Sequence, residues 1–179
     1  MTDTGQAFIA QARKLLLTDF FPKIERCLER LSDEQLWWRA HKDSNSIGNL
    51  LLHLSGNARQ WIVCGVGGVP DRRERQKEFA AREGAGRAQL LGRLRETIDE
   101  ADAVLGELDA AKLLERRQIQ GHEVSLLEAI FHAVEHFSMH TGQIILITKM
   151  LTESDLRFYD FSTGVPLPAW HKAQSKAEG

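Results

Sequence analysis

Apolar residues recur along this chain at the three-and-four spacing of amphipathic helices, in four long stretches divided by polar or glycine-rich connections. Phe8, Ile9, Ala12, Leu15, Leu16, Phe20, Ile24, Cys27, Leu28 and Leu31 predict a first helix over roughly residues 4–31, which Pro22 should bend or break locally. Ile47, Leu50, Leu51, Leu54, Ala58, Trp61 and Ile62 predict a second, from about Ser46 to Cys64. Leu91, Leu94, Ile98, Ala101, Leu105 and Leu108 mark one face of a third, from about Arg87 to Leu108. The fourth runs from Ser125 to Leu151 and turns Leu126, Leu127, Ile130, Val134, Phe137, Ile144 and Ile145 to one side.

Local signals punctuate this pattern. Ser125 with Glu128, and Ser32 with Gln35, form capping boxes that satisfy orphan backbone donors at helix starts. The second box opens a short helical turn through Trp37 and Trp38, which are expected to line the core or a cleft. Gly65, Gly67, Gly68 and Pro70 end the second helix. Residues 71–87, mixed in charge and broken by Gly84 and Gly86, suggest a solvated link or a short helix. Residues 118–124 read as an extended stretch turning at Gly121, and the tail LRFYDFSTGVPLPAW is rich in aromatics that must pack over the helices or against a second copy. The expectation is an all-α four-helix bundle with short extra helices and an aromatic C-terminal tail: one domain over residues 1–170, and a frayed end over 171–179.

Composition narrows the function classes. The chain has 179 residues, 42% hydrophobic and 27% charged, an ordinary globular balance. A formal net charge of −2 argues against a dedicated nucleic-acid binder, which would carry a basic surplus. No signal-peptide core and no apolar run long enough to span a membrane is present. Cys27 and Cys64 form neither a disulfide framework nor a CxxC pair, so a reduced cytoplasmic protein is expected.

The candidate chemistry lies in the histidines. His132, His136 and His140 follow one another at a spacing of four on the fourth helix. Positions eight apart are separated by about 12 Å along a helix, so all three cannot hold one ion, whereas neighbours about 6 Å apart can chelate. The helical wheel favours His136 and His140, which flank the apolar face, and places His132 on the outer side with Glu128 and Glu135. Such a pair needs a third ligand from another helix. His53 occupies an edge of the second helix, where it is either a packed core-edge histidine or that ligand. His41 and His122 read as exposed, and His171 sits in the final stretch. Three neutral imidazoles leave a coordination position open, and zinc, nickel and iron(II) all accept them. Gln143, Glu135 and Asn57 lie near the proposed ligands in sequence, as candidate supports. The segment from His132 to His136 also matches the H-x-x-E-H pattern of inverted zinc peptidases, but the wheel turns Glu135 outward and a small bundle lacks a peptidase cleft. Paired Glu-x-x-His motifs of di-iron bundles are absent.

SIGNLLLHLSGN around His53, followed by HAVEHFSMHTGQI with His136 and His140, resembles the DinB-like (DinB/YfiT-like) superfamily of metal-dependent bundles. The H-x-x-x-H-x-G-Q ending and the continuation ITKMLTESDLRFYDF are most similar to a subfamily of unknown function within it. The resemblance covers nearly the whole chain. It implies a four-helix bundle, usually a homodimer, with His53, His136 and His140 as metal ligands and His132 outside the set. Characterised relatives include transferases and isomerases that use low-molecular-weight thiols such as bacillithiol or mycothiol. The resemblance therefore implies a metal-dependent thiol S-transferase or related thiol enzyme acting on a small electrophile. The competing readings are a non-catalytic, stress-associated metal-binding dimer and a hydrolase using metal-activated water.

Overall fold

A computed structural model describes residues 3–169; His171, Trp170 and the expected frayed end lie outside the described residues. The long elements are all helical. Helix α1 (Thr4–Lys14) passes through a π-helical turn (Leu15–Phe20) into α2 (Phe21–Leu28), forming one rod. Pro22 does not break it. A proline has no N–H to donate and crowds the carbonyl four residues back, and the chain accommodates this by widening into the π turn just before it.

The capping boxes form as the sequence indicated. Ser32 and Gln35 open the short α3 (Asp33–Leu36), and Ser125 and Glu128 open α7 (Leu126–Thr152). A further box, Ser46 with Asn49, opens α4 (Ile47–Ala58), which continues as a π turn through Arg59–Val66. A short α5 (Arg75–Ala80) precedes the long α6 (Arg87–Glu107). Residues 118–124 belong to a hairpin, β1 (Arg116–Ile119) with β2 (His122–Ser125), and Gly121 takes φ 81° in its turn, a conformation glycine adopts without strain. A second, smaller pairing joins β3 (Tyr159–Asp160) to β4 (Leu167–Pro168). Of the tail, Leu156 is fully buried and Phe158 packs partly against the core, while Phe161 is exposed.

The long helices share a core of Leu16, Phe20, Ile24, Leu54, Leu94, Ile98 and Phe137, with Phe20 and Phe137 stacked at 6.0 Å between ring centroids. Burying each such side chain contributes about 1.5–3 kcal/mol. Three details differ from the sequence pattern. On α6, Leu90 rather than Leu91 is buried. Trp37 is half-buried, with its Nε1–H donating to the Ala85 carbonyl at 3.1 Å, but Trp38 is 37% exposed.

On α7 the inward face includes Ala129, Ala133, Thr141 and Thr148, while Leu127, Val134 and Ile145 are only half-buried. At 100° per residue this turns the helix by about 40° relative to the purely apolar reading, bringing the histidine side inward. Threonine is tolerated there because Thr141 and Thr148 donate to the carbonyls four residues back, both at 2.8 Å.

Candidate metal centre

Helix α4 is buried on nearly all sides, because α5 covers the face that the stripe of leucines leaves free. His53 is consequently 4% exposed instead of sitting at a core edge. Across from it, the rotation of α7 buries His140 and half-buries His136.

The three imidazoles meet through their Nε2 atoms. His53 Nε2 lies 3.0 Å from His136 Nε2, which lies 3.3 Å from His140 Nε2. One ligand atom from each of the three falls within 4.8 Å of the others. Ligands at about 2.1 Å around a tetrahedral ion stand about 3.4 Å apart, close to the separations of His136 Nε2 from its two neighbours. A hydrogen bond between two imidazoles uses one proton, so three converging nitrogens cannot all be satisfied by one another. A cation accepts all three lone pairs. The histidines fit the ion that the sequence suggested.

Electrostatics keep His136 and His140 in their ligating form. Burial, reinforced by any charge on His140, His53 and His132, lowers the His136 pKa to about 3. Burial also lowers His140, which the hydrogen bond to Gln143 partly offsets, and burial lowers His132. Neutral imidazole is the species that binds metal.

The supports are partly those anticipated. His140 Nδ1 lies 2.7 Å from Gln143 Oε1. Asn57, in contrast, reaches His132, at 3.4 Å, and Glu135 is exposed with no hydrogen bond to the ligands among the described residues. His132 itself is not on the outer side. It is half-buried and packs against Trp61 with ring centroids 4.0 Å apart and tilted by 42°, beside the cluster but outside the converging set. His136 Nδ1 is buried without a hydrogen-bond partner among the described residues. His41 and His122 are exposed, as expected.

The larger correction concerns the charged segment after Pro70. It is not all solvated: the side chains of Arg73 and Glu78 are 5% and 8% exposed. Glu78 Oε2 lies 2.9 Å from His53 Nδ1, while Arg73 clamps both carboxylate oxygens at 2.8 Å. Burial alone would raise the Glu78 pKa, but the hydrogen bonds and charges of Arg73 and His53 outweigh it and hold the carboxyl below its ordinary value. A single Arg and Glu within a run of exposed charges carry no periodic signal, so the sequence offered no means of separating them. An open cavity of about 540 Å³ lies on the far side of this pair, lined by Arg73, Glu78, Gln60 and Asp71 but by none of the three histidines.

Fold and site together define a mostly helical protein with a largely buried three-histidine cluster able to hold a metal ion. The chain belongs to a family of proteins of unknown function, DUF1572, whose profile matches residues 3–164. A comparison with curated proteins gives no match. A solved structure described as "Crystal structure of the conserved protein of locus from Enterococcus faecalis" shares the fold, with a TM-score of 0.61 at 13% identity over 84% of this chain and 96% of that one. No helix among the described residues is long and apolar enough to cross a membrane.

Proposed function

We propose that the chain is a DinB-like four-helix bundle whose His53, His136 and His140 hold a divalent ion, zinc, nickel or iron(II), in an open site serving a thiol S-transferase or related thiol enzyme. The convergence of three Nε2 atoms from two helices carries this reading. A divalent ion bound there would supply Lewis acidity favouring the thiolate form of a thiol, whose pKa is about 8.5 when free. The thiol comes from outside the chain. Burial pushes the Cys27 thiol up to about 11 and also raises Cys64, so neither supplies a ready thiolate. In the transfer, the thiolate sulfur forms a bond to an electrophilic carbon, the leaving group departs with its bonding pair, and the thiol proton passes to solvent.

Hydrolysis is less well supported, since among the described residues no carboxylate oxygen joins the cluster of ligand atoms, and Glu78 faces Nδ1 of His53 instead. The non-catalytic reading has one observation in its favour: the three histidines come from both α4 and α7, which a shared ion would staple together. Homodimerisation is supported by exposed Phe131, Met139, Leu146 and Met150, which fall within about a 100° arc of α7. Such a row is the kind of face a second copy would cover.

The test loads the purified protein with each metal and measures conjugation of a panel of low-molecular-weight thiols to a generic alkylating electrophile. Metal-dependent acceleration that His136→Ala abolishes is expected. Equal rates with and without metal, or in the variant, would refute the transferase. Stabilisation by metal without acceleration would favour the staple.

A further inference from the structure

Metal-binding histidines depend on what their second nitrogen does, and here the three ligands differ. His140 has Gln143, His136 has no partner among the described residues, and His53 has two charged neighbours. Glu78 Oε2 stands 2.9 Å from His53 Nδ1, and Arg73 Nη2 stands 3.0 Å from the same atom. The two make opposite demands. An ionised carboxylate can only accept, so it requires a proton on Nδ1 and leaves the Nε2 lone pair facing the cluster. A guanidinium can only donate, so it requires the Nδ1 lone pair and moves the ring proton to Nε2, where it blocks coordination.

The surroundings hold the carboxylate in place. Arg73 grips it with Nε and Nη2, and Arg73 Nη1 donates to Gln60 Oε1 at 2.8 Å. Gln60 Nε2 in turn donates to Asp71 at 2.6 Å, and Asp71 accepts the Arg73 backbone N–H at 2.9 Å, closing a ring of hydrogen bonds. The backbone of α5 is tied down separately. Asn49 Nδ2 donates to the carbonyls of Glu78 and Ala81 at 2.7 and 2.9 Å. Phe79 lies against the His53 ring, with centroids 4.6 Å apart. Finally, Gly56 opens the space: a Cβ there would overlap Glu78 Oε1 and approach Arg73 Nε. A short helix is thus strapped across α4 with its one buried carboxylate aimed at the back of a ligand.

Resting on the metal-site reading above, we infer that Glu78 is a positioning residue that selects the ligating tautomer of His53, and that Arg73 both anchors Glu78 and opposes it at Nδ1. Removing the carboxylate alone hands Nδ1 to the guanidinium. Loss of Glu78 therefore weakens metal binding more than loss of Glu78 and Arg73 together, an order that a merely structural ion pair would not produce.

The experiment titrates the full chain with zinc against a chromophoric chelator, for the wild type, Glu78→Ala and the Arg73→Ala/Glu78→Ala double variant. Wild-type binding is expected, with a loss on the order of 10–100-fold in the single variant and partial recovery in the double variant. Ring-nitrogen NMR of metal-free wild type is expected to show the His53 proton on Nδ1, a readout that needs no variant to fold. An unchanged affinity in Glu78→Ala, a double variant no tighter than the single one, or a wild-type proton on Nε2 would each overturn the inference while leaving the metal site intact. A wild type that binds no zinc, nickel or iron(II) would overturn the metal site itself, and this inference with it.

Discussion

At the scale of single residues, the site is governed by what each imidazole lacks or is given. His136 is half-buried among other histidines, and its pKa falls from 6.5 to about 3. The unfolded chain therefore takes up a proton below pH 6.5 that the folded chain refuses, so stability should fall as pH drops from about 6.5 toward about 3. Urea unfolding of the metal-free protein at a series of pH values should show this decline, and His136→Asn should flatten it. An identical slope above pH 5, before most carboxylates titrate, would contradict the assignment. The spacing of four on α7 made His136 and His140 visible in the sequence. Glu78 and Arg73 were not, because nothing in DRRERQKE distinguishes a charge that turns inward. His132 was misplaced for a related reason: its surroundings depend on Trp61, which belongs to another rod.

At the scale of elements, small and hydroxyl-bearing residues decide how helices sit, and periodicity counts them poorly. The apolar pattern found every long helix and most of their ends, because capping boxes and glycines are local signals. It missed the rotation of α7, because Thr141 and Thr148 satisfy their hydroxyls within the helix and then behave as packing residues. Glycines in helix interiors show the same dependence on context. Replacing such a glycine by alanine ordinarily stabilises by about 0.5–1 kcal/mol. Gly92, on α6, has nothing within 4 Å of an added Cβ, so Gly92→Ala should show that gain. Gly56, on α4, would press its Cβ into Glu78 and Arg73. Gly56→Ala should lose stability instead, and zinc affinity with it. Chemical denaturation of the two variants side by side checks the contrast, and an equal gain in both would show that α5 does not hold Glu78 against α4.

At the scale of the whole molecule, the cluster joins distant parts of the chain. His53 and His136 lie on different rods, brought together by a core that α1, α2 and α6 also build. An ion bound by both favours the folded state only, because the unfolded chain does not preform the site. Free ion at a hundred times its dissociation constant then stabilises by about 2.7 kcal/mol. For a chain of this length each kcal/mol moves Tm by about 2–4 °C, so saturating metal should raise Tm by about 5–11 °C. A chelator should reverse the rise. In His53→Ala the remaining pair lies one turn apart on α7, where an ion would reinforce a single helix and no longer cross between rods. The metal-dependent shift should therefore collapse in that variant while its metal-free Tm changes much less. A shift that survives intact in His53→Ala would place the binding energy within α7 and remove α4, and everything strapped to it, from the metal site.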